Sequence, residues 1–366
     1  MSIIIFIIIL AILIFVHELG HFLVAKKSGI RVDEFGLGFP PKIFAKKLGN
    51  TVYTLNAIPF GGFVKIFGED PHSEEIKEED RHTSFFYKPK WIQVSVLVAG
   101  VTFNIIFAWL CISLGFMIGM PASTDYSSFG QTTRTNLVIT EIIKDSPAEK
   151  AGLTTGDVIV SVSSGEVSIQ NENLTPNKVS ELISNSIAKN IEVAYRRGEA
   201  LPTNVFIEPN SDLIEGKKAI GIVMDSMGIL KLPIHLAFIE GARTTWFLTK
   251  GTVVGLVGFL RDVVTFKSDF SQVAGPVGIA KVVSQANNLG FVYLLSLVAL
   301  ISINLAVINL LPFPALDGGR LLFVGIEAII RRPINPVFVR WTNALGFVFL
   351  IILMLVITSH DILNLL

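Results

Sequence analysis

Two histidines, His17 and His21, bracket a glutamate, Glu18, at the inner end of an apolar run that begins at Ile3. On a helix, residues at positions i and i+4 share a face. Both imidazoles can therefore bind one metal ion, while the carboxylate between them reaches a water molecule at that metal. Polar side chains that only hydrogen-bond neighbouring helices would explain one histidine, but not two with this spacing. Because ionisable groups inside an apolar helix are costly, the pattern indicates hydrolytic chemistry at a metal.

A third candidate ligand, Asp317, follows a segment that two prolines, Pro312 and Pro314, should break. A helix broken at membrane depth exposes backbone groups, which is tolerated only inside protein or beside a water-filled cavity. The break brings Asp317 to the depth of the two histidines. Two histidines and one carboxylate with an open fourth position form the ligand set of a catalytic zinc site. Taken alone, the segment after Asp317 could equally be a polar turn that leaves the membrane.

The composition of the chain indicates a membrane protein. Hydrophobic residues make up 51% of the chain and charged residues only 16%, with a mean hydropathy of +0.61, whereas soluble domains carry about 25% charged residues. The net charge is zero and no long basic tract is present, so nucleic-acid binding is not expected. Cys111, the single cysteine, excludes an internal disulfide. The N-terminal run lacks a preceding basic region and a cleavage site, so we interpret it as a membrane helix.

Four apolar runs are long enough to cross a bilayer, namely Ile3–Ala25, Ile92–Met120, Phe291–Leu311 and Phe338–Ile357. A fifth run, Leu236–Leu260, contains three charged residues and is interpreted as amphipathic or lying on the membrane surface. Segment 26–90 carries eleven Lys and Arg residues and segment 331–340 carries three, which predicts that both are cytoplasmic. The predicted ranges are 1–25, 91–120, 291–318 and 338–358 for the spans, 26–90 for the cytoplasmic loop, 132–226 for an outer domain and 227–290 for surface helices.

The two soluble segments carry β-strand patterns. In the cytoplasmic loop, Thr51–Asn56 and Phe63–Phe67 are predicted to be short strands around a turn at Ile58–Gly62. The acidic stretch Glu69–His82 is predicted to be a solvated surface, with His72 and His82 as surface residues rather than ligands. In the outer segment, alternation and glycine turns predict a strand, a short helix, further strands and an amphipathic helix near 177–187.

Four motifs resemble the site-2-protease family of intramembrane zinc metalloproteases, in its bacterial branch of PDZ-containing proteases that regulate sigma factors. They follow one another along this chain in the same order as in that family. His17–His21 resembles the HExxH motif of its first membrane helix, and Asn309–Gly318 resembles the NxxPxPxLDG motif of its third. Gly100–Asn104 resembles the GxxxN element of the second helix, whose small residue permits close helix approach. Ala274–Lys281 resembles the segment before the third helix.

The resemblance implies roles for individual residues. His17, His21 and Asp317 would bind Zn²⁺, and Glu18 would be the general base. Asn309 would hold or polarise the substrate backbone, with an interhelical hydrogen bond as the alternative.

The cytoplasmic loop resembles the family's membrane-associated β-hairpin, whose edge would pair with an unwound substrate through a segment that includes Gly61 and Gly62. A hairpin that merely caps the site is an equal alternative. The letters Gly36–Phe39 match a PDZ carboxylate-binding loop, but the resemblance assigns them to a re-entrant glycine motif near the site.

The fold expected is therefore a polytopic α-helical membrane protein of about four transmembrane helices, with a membrane-associated β-hairpin and one inserted extracytoplasmic PDZ domain. The PDZ pattern lacks a clear carboxylate-binding loop, so size-selective gating of substrates is preferred over peptide binding.

The expected function is that of an intramembrane zinc metalloendopeptidase of the cytoplasmic membrane. Its partners would be the lipid bilayer and single-span membrane proteins, such as anti-sigma factors or signal-peptide remnants. The alternatives are a catalytically silent PDZ-bearing scaffold with a residual zinc site and a transporter, which should show an internal repeat that these four unequal spans lack.

Overall fold

The computed structural model describes residues 2–69, 76–123, 133–170, 174–198, 200–214, 217–265 and 275–363. His72 and Ala274, which the sequence analysis singled out, lie outside these residues. The chain divides into two compact units. The helical unit comprises Met1–Leu114 and Phe238–Leu366, and the sheet unit comprises Gly115–Ala237.

The described residues form nine α-helices and eleven β-strands. The helices are α1 Ser2–Lys27, α2 Lys90–Ile118, α3 Pro147–Lys150, α4 Pro176–Ser184, α5 Ile234–Val264, α6 Pro276–Leu289, α7 Phe291–Asn309, α8 Asp317–Ile330 and α9 Pro336–Leu363. The strands are β1 Val32–Leu48, β2 Thr51–Ile66, β3 Met120–Ser123, β4 Thr133–Ile142, β5 Val158–Ser164, β6 Val167–Gln170, β7 Ile191–Arg196, β8 Thr203–Ile207, β9 Asn210–Ile214, β10 Lys217–Ala219 and β11 Ile222–Leu230. A short 3₁₀ helix spans Glu78–Thr83.

Among the described residues, four helices are long and apolar enough to cross a membrane: α1, α2, α7 and α9. They correspond to the four predicted spans. α1 continues without a break through the two histidines and ends at Lys27, two residues before Gly29, whose φ of 67° stops further helical turns. α5 carries the predicted charges and is one continuous helix of 31 residues rather than several short ones.

The helical unit packs around α1. One cluster of buried apolar side chains joins the C-terminal part of α1 to β1, β2, α2 and α8, and includes Phe22, Val32 and Val324. A second cluster joins the other half of α1 to α6 and α7, and its buried members are Phe6, Ile9, Leu13 and Val283. The α6 N-terminus is held by Asp361 of α9, whose carboxylate accepts hydrogen bonds from Gly275 and Gly278 N–H at 3.2 and 2.7 Å.

The loop after α1 forms a β-hairpin, but the predicted pairing of its strands is wrong. Thr51–Asn56 and Phe63–Phe67 were expected to pair across a turn at Ile58–Gly62. Residues 51–66 instead belong to the single strand β2, and its turn to β1 lies at Gly49-Asn50.

The first part of β1, residues 32–37, lies between the two segments that were expected to pair. It pairs with residues 62–66 on one side and with residues 52–55 on the other. Gly36 permits this arrangement, because a Cβ there would overlap the Phe63 ring and touch the Thr54 hydroxyl. Within the described residues, no strand pairs with the outer side of 62–66, so this segment is an edge of the sheet. The exposed His82, on the neighbouring 3₁₀ helix, is a surface residue as predicted.

The sheet unit is built on a seven-stranded sheet of order β3-β11-β4-β5-β7-β8, in which β6 also pairs with β5. The helix α4 packs its buried Val179 and Ile183 against this sheet. The strands and helices that the sequence predicted for the outer segment correspond to β4, α3, β5, α4, β7, β8 and β11. The strands β6, β9 and β10 were not predicted, because each has at most five residues and little apolar alternation.

An ion pair between the buried Asp157 and the half-exposed Arg197 joins the start of β5 to the end of β7 in the sheet unit. The Arg197 guanidinium donates to the Asp157 carboxylate at 2.7 and 2.8 Å and to the Gly152 carbonyl at 2.9 Å. The Thr154 N–H donates to the same carboxylate at 2.8 Å. Burial raises the pKa of Asp157, but these hydrogen bonds outweigh burial, so the pKa lies below its ordinary value.

We expect Arg197→Met to lower the free energy of unfolding of the sheet unit by about 1–3 kcal/mol, because the buried carboxylate loses its charged partner. Since the folded-state pKa is depressed, the wild-type contribution is present above about pH 4 and lost as the pH falls through the folded pKa. The stability difference between wild type and variant should therefore shrink as the pH falls below about 4, because the wild type loses there the contribution that the variant lacks. Hydrogen exchange of β5 and β7 amides in the full chain measures this, with the exposed Lys189→Met as control. Equal protection in both variants would contradict the prediction.

Candidate metal centre

Three side-chain donors from two distant parts of the chain meet in the helical unit. His17 Nε2 and His21 Nε2 lie 3.0 and 3.2 Å from Asp317 Oδ2, and 3.2 Å from each other. Both histidines are buried, whereas the Asp317 side chain is about one-fifth exposed. In the described residues this is the one group of three or more His, Cys, Asp or Glu residues placed to hold a metal ion.

Glycine allows α2 to pass close to the two histidines. A Cβ at Gly100 would overlap His21 Nε2 and the His17 ring, and a Cβ at Gly20 would meet the Ala99 backbone of α2. Without side chains at these two crossing points, α1 and α2 approach closely enough to enclose both imidazoles.

The break between α7 and α8 delivers Asp317. α7 ends at Asn309 and α8 begins at Asp317, with both prolines between them. The chain returns so tightly that a Cβ at Gly318 would overlap the Leu310 and Leu311 carbonyls, and a Cβ at Gly319 would overlap the Phe313 carbonyl. The free Ala315 N–H donates to Asn343 Oδ1 of α9 at 3.2 Å. This hydrogen bond satisfies one backbone group released by the break, while Pro312 and Ala315 themselves stay exposed.

The other ring nitrogen of each histidine contacts α2. His21 Nδ1 lies 2.8 Å from the Val96 carbonyl, so it donates its N–H there and leaves Nε2 with a lone pair. His17 Nδ1 lies 3.3 Å from the side-chain amide of Asn104, a fully buried residue. The Asn104 backbone carbonyl accepts from Ser302 of α7 at 2.8 Å, which ties the three helices together.

Asn104 fits a metal site in one amide orientation. Asn104 Oδ1 has no hydrogen-bond partner within the described residues, and its Nδ2 faces His17. A His17 that presents the Nε2 lone pair to a metal carries its proton on Nδ1, which needs an acceptor rather than a donor. Rotating the amide by half a turn brings Oδ1 to His17 and provides that acceptor.

Glu18 lines a pocket of about 290 Å³. The other residues that line this pocket are Ile14, His17, Gly61, Gly62, Leu305, Asn309, Ala315, Leu316 and Asp317. The Val64 N–H of the sheet edge donates a hydrogen bond to the Glu18 carboxylate. A Cβ at Gly62 would lie 3.3 Å from Glu18 Cγ and 3.1 Å from Ile14 Cγ2. Asn309 Nδ2 lies 3.4 Å from His17 Nε2. The structure thus brings six of the seven sequence-predicted site residues to one pocket, and the seventh, His21, contacts His17 and Asp317.

The donor set fits zinc. Tetrahedral Zn²⁺ with bonds of 2.0–2.1 Å separates its ligand atoms by about 3.3 Å, close to the three observed separations of 3.0 and 3.2 Å. Two neutral imidazoles and one carboxylate leave a fourth position on the side of the pocket, as in catalytic zinc sites.

Such a centre, enclosed by apolar helices long enough to cross a membrane, indicates a membrane zinc metalloprotease. The chain matches the model described as Peptidase family M50 over residues 5–353. It is 31% identical to the Regulator of sigma-W protease RasP of Bacillus subtilis, over 99% of this chain and 98% of the relative. It is 29% identical to the zinc metalloprotease RasP of Bacillus licheniformis (99% and 98%) and of Geobacillus kaustophilus (99% and 97%).

The chain therefore belongs to Peptidase family M50, the site-2 proteases. This membership confirms the resemblance drawn from the four motifs, the enzymatic class and the Zn²⁺ cofactor. The protein is a multi-pass membrane zinc metalloprotease with a β-sheet domain.

Sequence reasoning missed the contacts that Asn104, Val96 and Val64 make to the site. Asn104 carried a usable signal, because it lies four residues after Gly100 and so shares the α2 face that meets α1. Val96 and Val64 act through backbone groups, which no side-chain pattern reveals.

We expect Asn104→Leu to lower zinc affinity about 10- to 100-fold, since His17 then loses the acceptor that orients its ring. Asn104→Asp keeps an acceptor at the same place and should retain most of the affinity. Zinc transfer from purified protein to a chromophoric chelator measures both, with the exposed Asn288→Ala as handling control. An Asn104→Asp variant as weak as Asn104→Leu would show that the donor Nδ2, not Oδ1, faces His17.

Proposed function

We propose that this protein hydrolyses peptide bonds within or near transmembrane segments, with His17, His21 and Asp317 as zinc ligands and Glu18 as general base. The observation that carries the proposal is that His17, His21 and Asp317 are placed to hold one metal ion, and that Glu18 lines the same pocket as His17 and Asp317. Zinc, when bound, polarises the scissile carbonyl and activates the attacking water.

Glu18 performs the proton transfers. Its carboxylate accepts the proton of the attacking water and passes it to the leaving amine nitrogen. The Val64 N–H holds the carboxylate toward the pocket. Asn309, on the opposite wall, donates from Nδ2 to the carbonyl oxygen on which negative charge develops. The contact between Asn309 and His17 is also compatible with a purely interhelical role.

The sheet edge 62–66 is the proposed substrate platform. A transmembrane helix shields its own peptide bonds, so cleavage requires a local extended form whose backbone groups find new partners. No strand among the described residues pairs with the outer side of this edge, and Gly61 and Gly62 line the pocket beside Glu18, where an added strand would lie. A hairpin that merely caps the site would not need an open edge.

We propose that segment 26–90 and the active site face the cytoplasm and that the sheet unit is an extracytoplasmic PDZ domain near 132–226. The basic residues of 26–90 support this orientation, and the closure of the sheet by its last strand β11 against β4 supports a circularly permuted PDZ fold. Its role as a gate or a peptide contact stays a prediction.

The proposed substrates are single-span membrane proteins. The name of the Bacillus subtilis relative, Regulator of sigma-W protease, supports membrane-anchored regulators of sigma factors as one class. A catalytically silent scaffold with a residual zinc site is the alternative, and it gives no reason for Glu18 to share the pocket.

Glu18→Gln should lower cleavage of a single-span model substrate by about 10²–10⁴-fold while zinc stays bound, because only the proton acceptor is lost. Purified wild type, Glu18→Gln and the exposed Glu181→Gln are compared with and without a zinc chelator. Glu181→Gln, and wild type with zinc added back after chelation, serve as positive controls. Cleavage by Glu18→Gln at the wild-type rate would remove Glu18 from the mechanism.

Gly62→Ala should lower cleavage with unchanged zinc affinity, because the added methyl fills space between Ile14 and Glu18 that the substrate strand requires. The matched control is Gly251→Ala in α5, where a Cβ meets nothing within 4 Å. Steady-state cleavage and zinc content are measured together. If both variants cleave equally well, the edge near Gly62 is not the platform.

A further inference from the structure

A second, larger cavity lies in the helical unit, away from the proposed zinc ligands. It has a volume of about 1040 Å³ and lies between α8, the first turns of α9 and the segment 85–97 that leads into α2. We call it the α8–α9 cleft. It extends along α8 from Arg320 to Ile330, ten residues or about 15 Å, which is half the thickness of a hydrocarbon core.

The charge of the cleft is positive. Arg320, Arg332 and Arg340 line it, against Glu69 and Glu327. Both carboxylates are already paired, Glu69 with Arg320 and Glu327 with Lys90 at 2.6 Å. The lining therefore favours an anionic ligand.

The remainder of the cleft is apolar and aromatic. Phe85 and Phe86 line one wall, and Phe323, Val324 and Ile330 of α8 line another. α2 and α9, which flank the cleft, are both long and apolar enough to cross a membrane. A soluble anion would leave these apolar surfaces without contacts, whereas a lipid would cover them.

We propose that the α8–α9 cleft binds one anionic phospholipid, with its phosphate at Arg332 and Arg340 and its acyl chains along the aromatic wall. Basic pockets between membrane helices on the cytoplasmic side suit anionic headgroups. The arginines follow the end of α8 and precede the middle of α9, where their long side chains reach the interface while the helices stay in hydrocarbon.

The bound lipid would contact the element that presents Asp317. Asn343 lines the cleft and also accepts the hydrogen bond from Ala315, two residues before Asp317. Arg320 lies one turn after Asp317 on α8. A lipid in the cleft would thus stabilise the packing of α9 against the helix break. The binding proposal itself does not depend on catalysis.

The test counts lipids retained by the full chain in detergent, by native mass spectrometry, with dioleoylphosphatidylglycerol or dioleoylphosphatidylcholine added. We expect one phosphatidylglycerol to be retained in preference to phosphatidylcholine. The double variant Arg332→Gln/Arg340→Gln should weaken that binding about thirtyfold, since each basic residue near an anionic surface contributes about fivefold. The control Lys46→Gln/Lys47→Gln removes two exposed charges from β1 and should retain the lipid.

Two further arms keep the proposal falsifiable. Val339→Trp fills the cleft without changing its charge and should also release the lipid, with zinc content as the check on folding. Excess inorganic phosphate should not displace phosphatidylglycerol; displacement would assign the site to free phosphate. Equal retention of both lipids, or retention unaffected by the arginine and tryptophan variants, would overturn the proposal.

Discussion

A membrane interior offers no water to polar groups, and this constraint accounts for most of the helical unit. The proposed zinc centre places two imidazoles, four carboxyl or amide side chains and a broken helix at membrane depth. Several polar groups around it have partners inside the protein. Ala315 N–H reaches Asn343, His21 reaches the Val96 carbonyl, and Ser302 reaches the Asn104 carbonyl. α2, α7 and α9 are therefore needed as hydrogen-bond partners as well as for packing.

Close packing follows from the same constraint. The partners of a buried imidazole must lie within about 3 Å, so helix axes must approach more closely than leucine side chains permit. The chain meets this need with glycine at the points of contact, Gly20 and Gly100 between α1 and α2, and Gly318 and Gly319 at the return of the chain. Their value lies in the missing Cβ rather than in flexibility, because none of the four has a positive φ.

The parts of this arrangement that could be predicted are those encoded by local periodicity. The spacing of His17 and His21, the apolar length of the spans and the prolines before Asp317 are properties of short segments, and they predicted the three candidate ligands and Glu18. Asn309, Gly61 and Gly62 were assigned only through the resemblance to the family. The path of β1 could not be predicted, since Gly36, Gly38 and two prolines are poor strand formers and the strand depends on its partners. The contact of Asn104 with His17 depends on the crossing of two helices, which a single sequence does not reveal.

The sheet edge 62–66 connects the membrane constraint to the proposed chemistry. A substrate helix unwound in hydrocarbon would leave several N–H and C=O groups unpaired, each at a cost of several kcal/mol. A sheet edge offsets that cost only for the residues it pairs. Because Val64 of the same edge donates to Glu18, the peptide bonds stabilised in extended form are those nearest the general base. Unwinding and cleavage would then be directed to the same bonds, and substrate helices that unwind elsewhere would gain nothing from the edge.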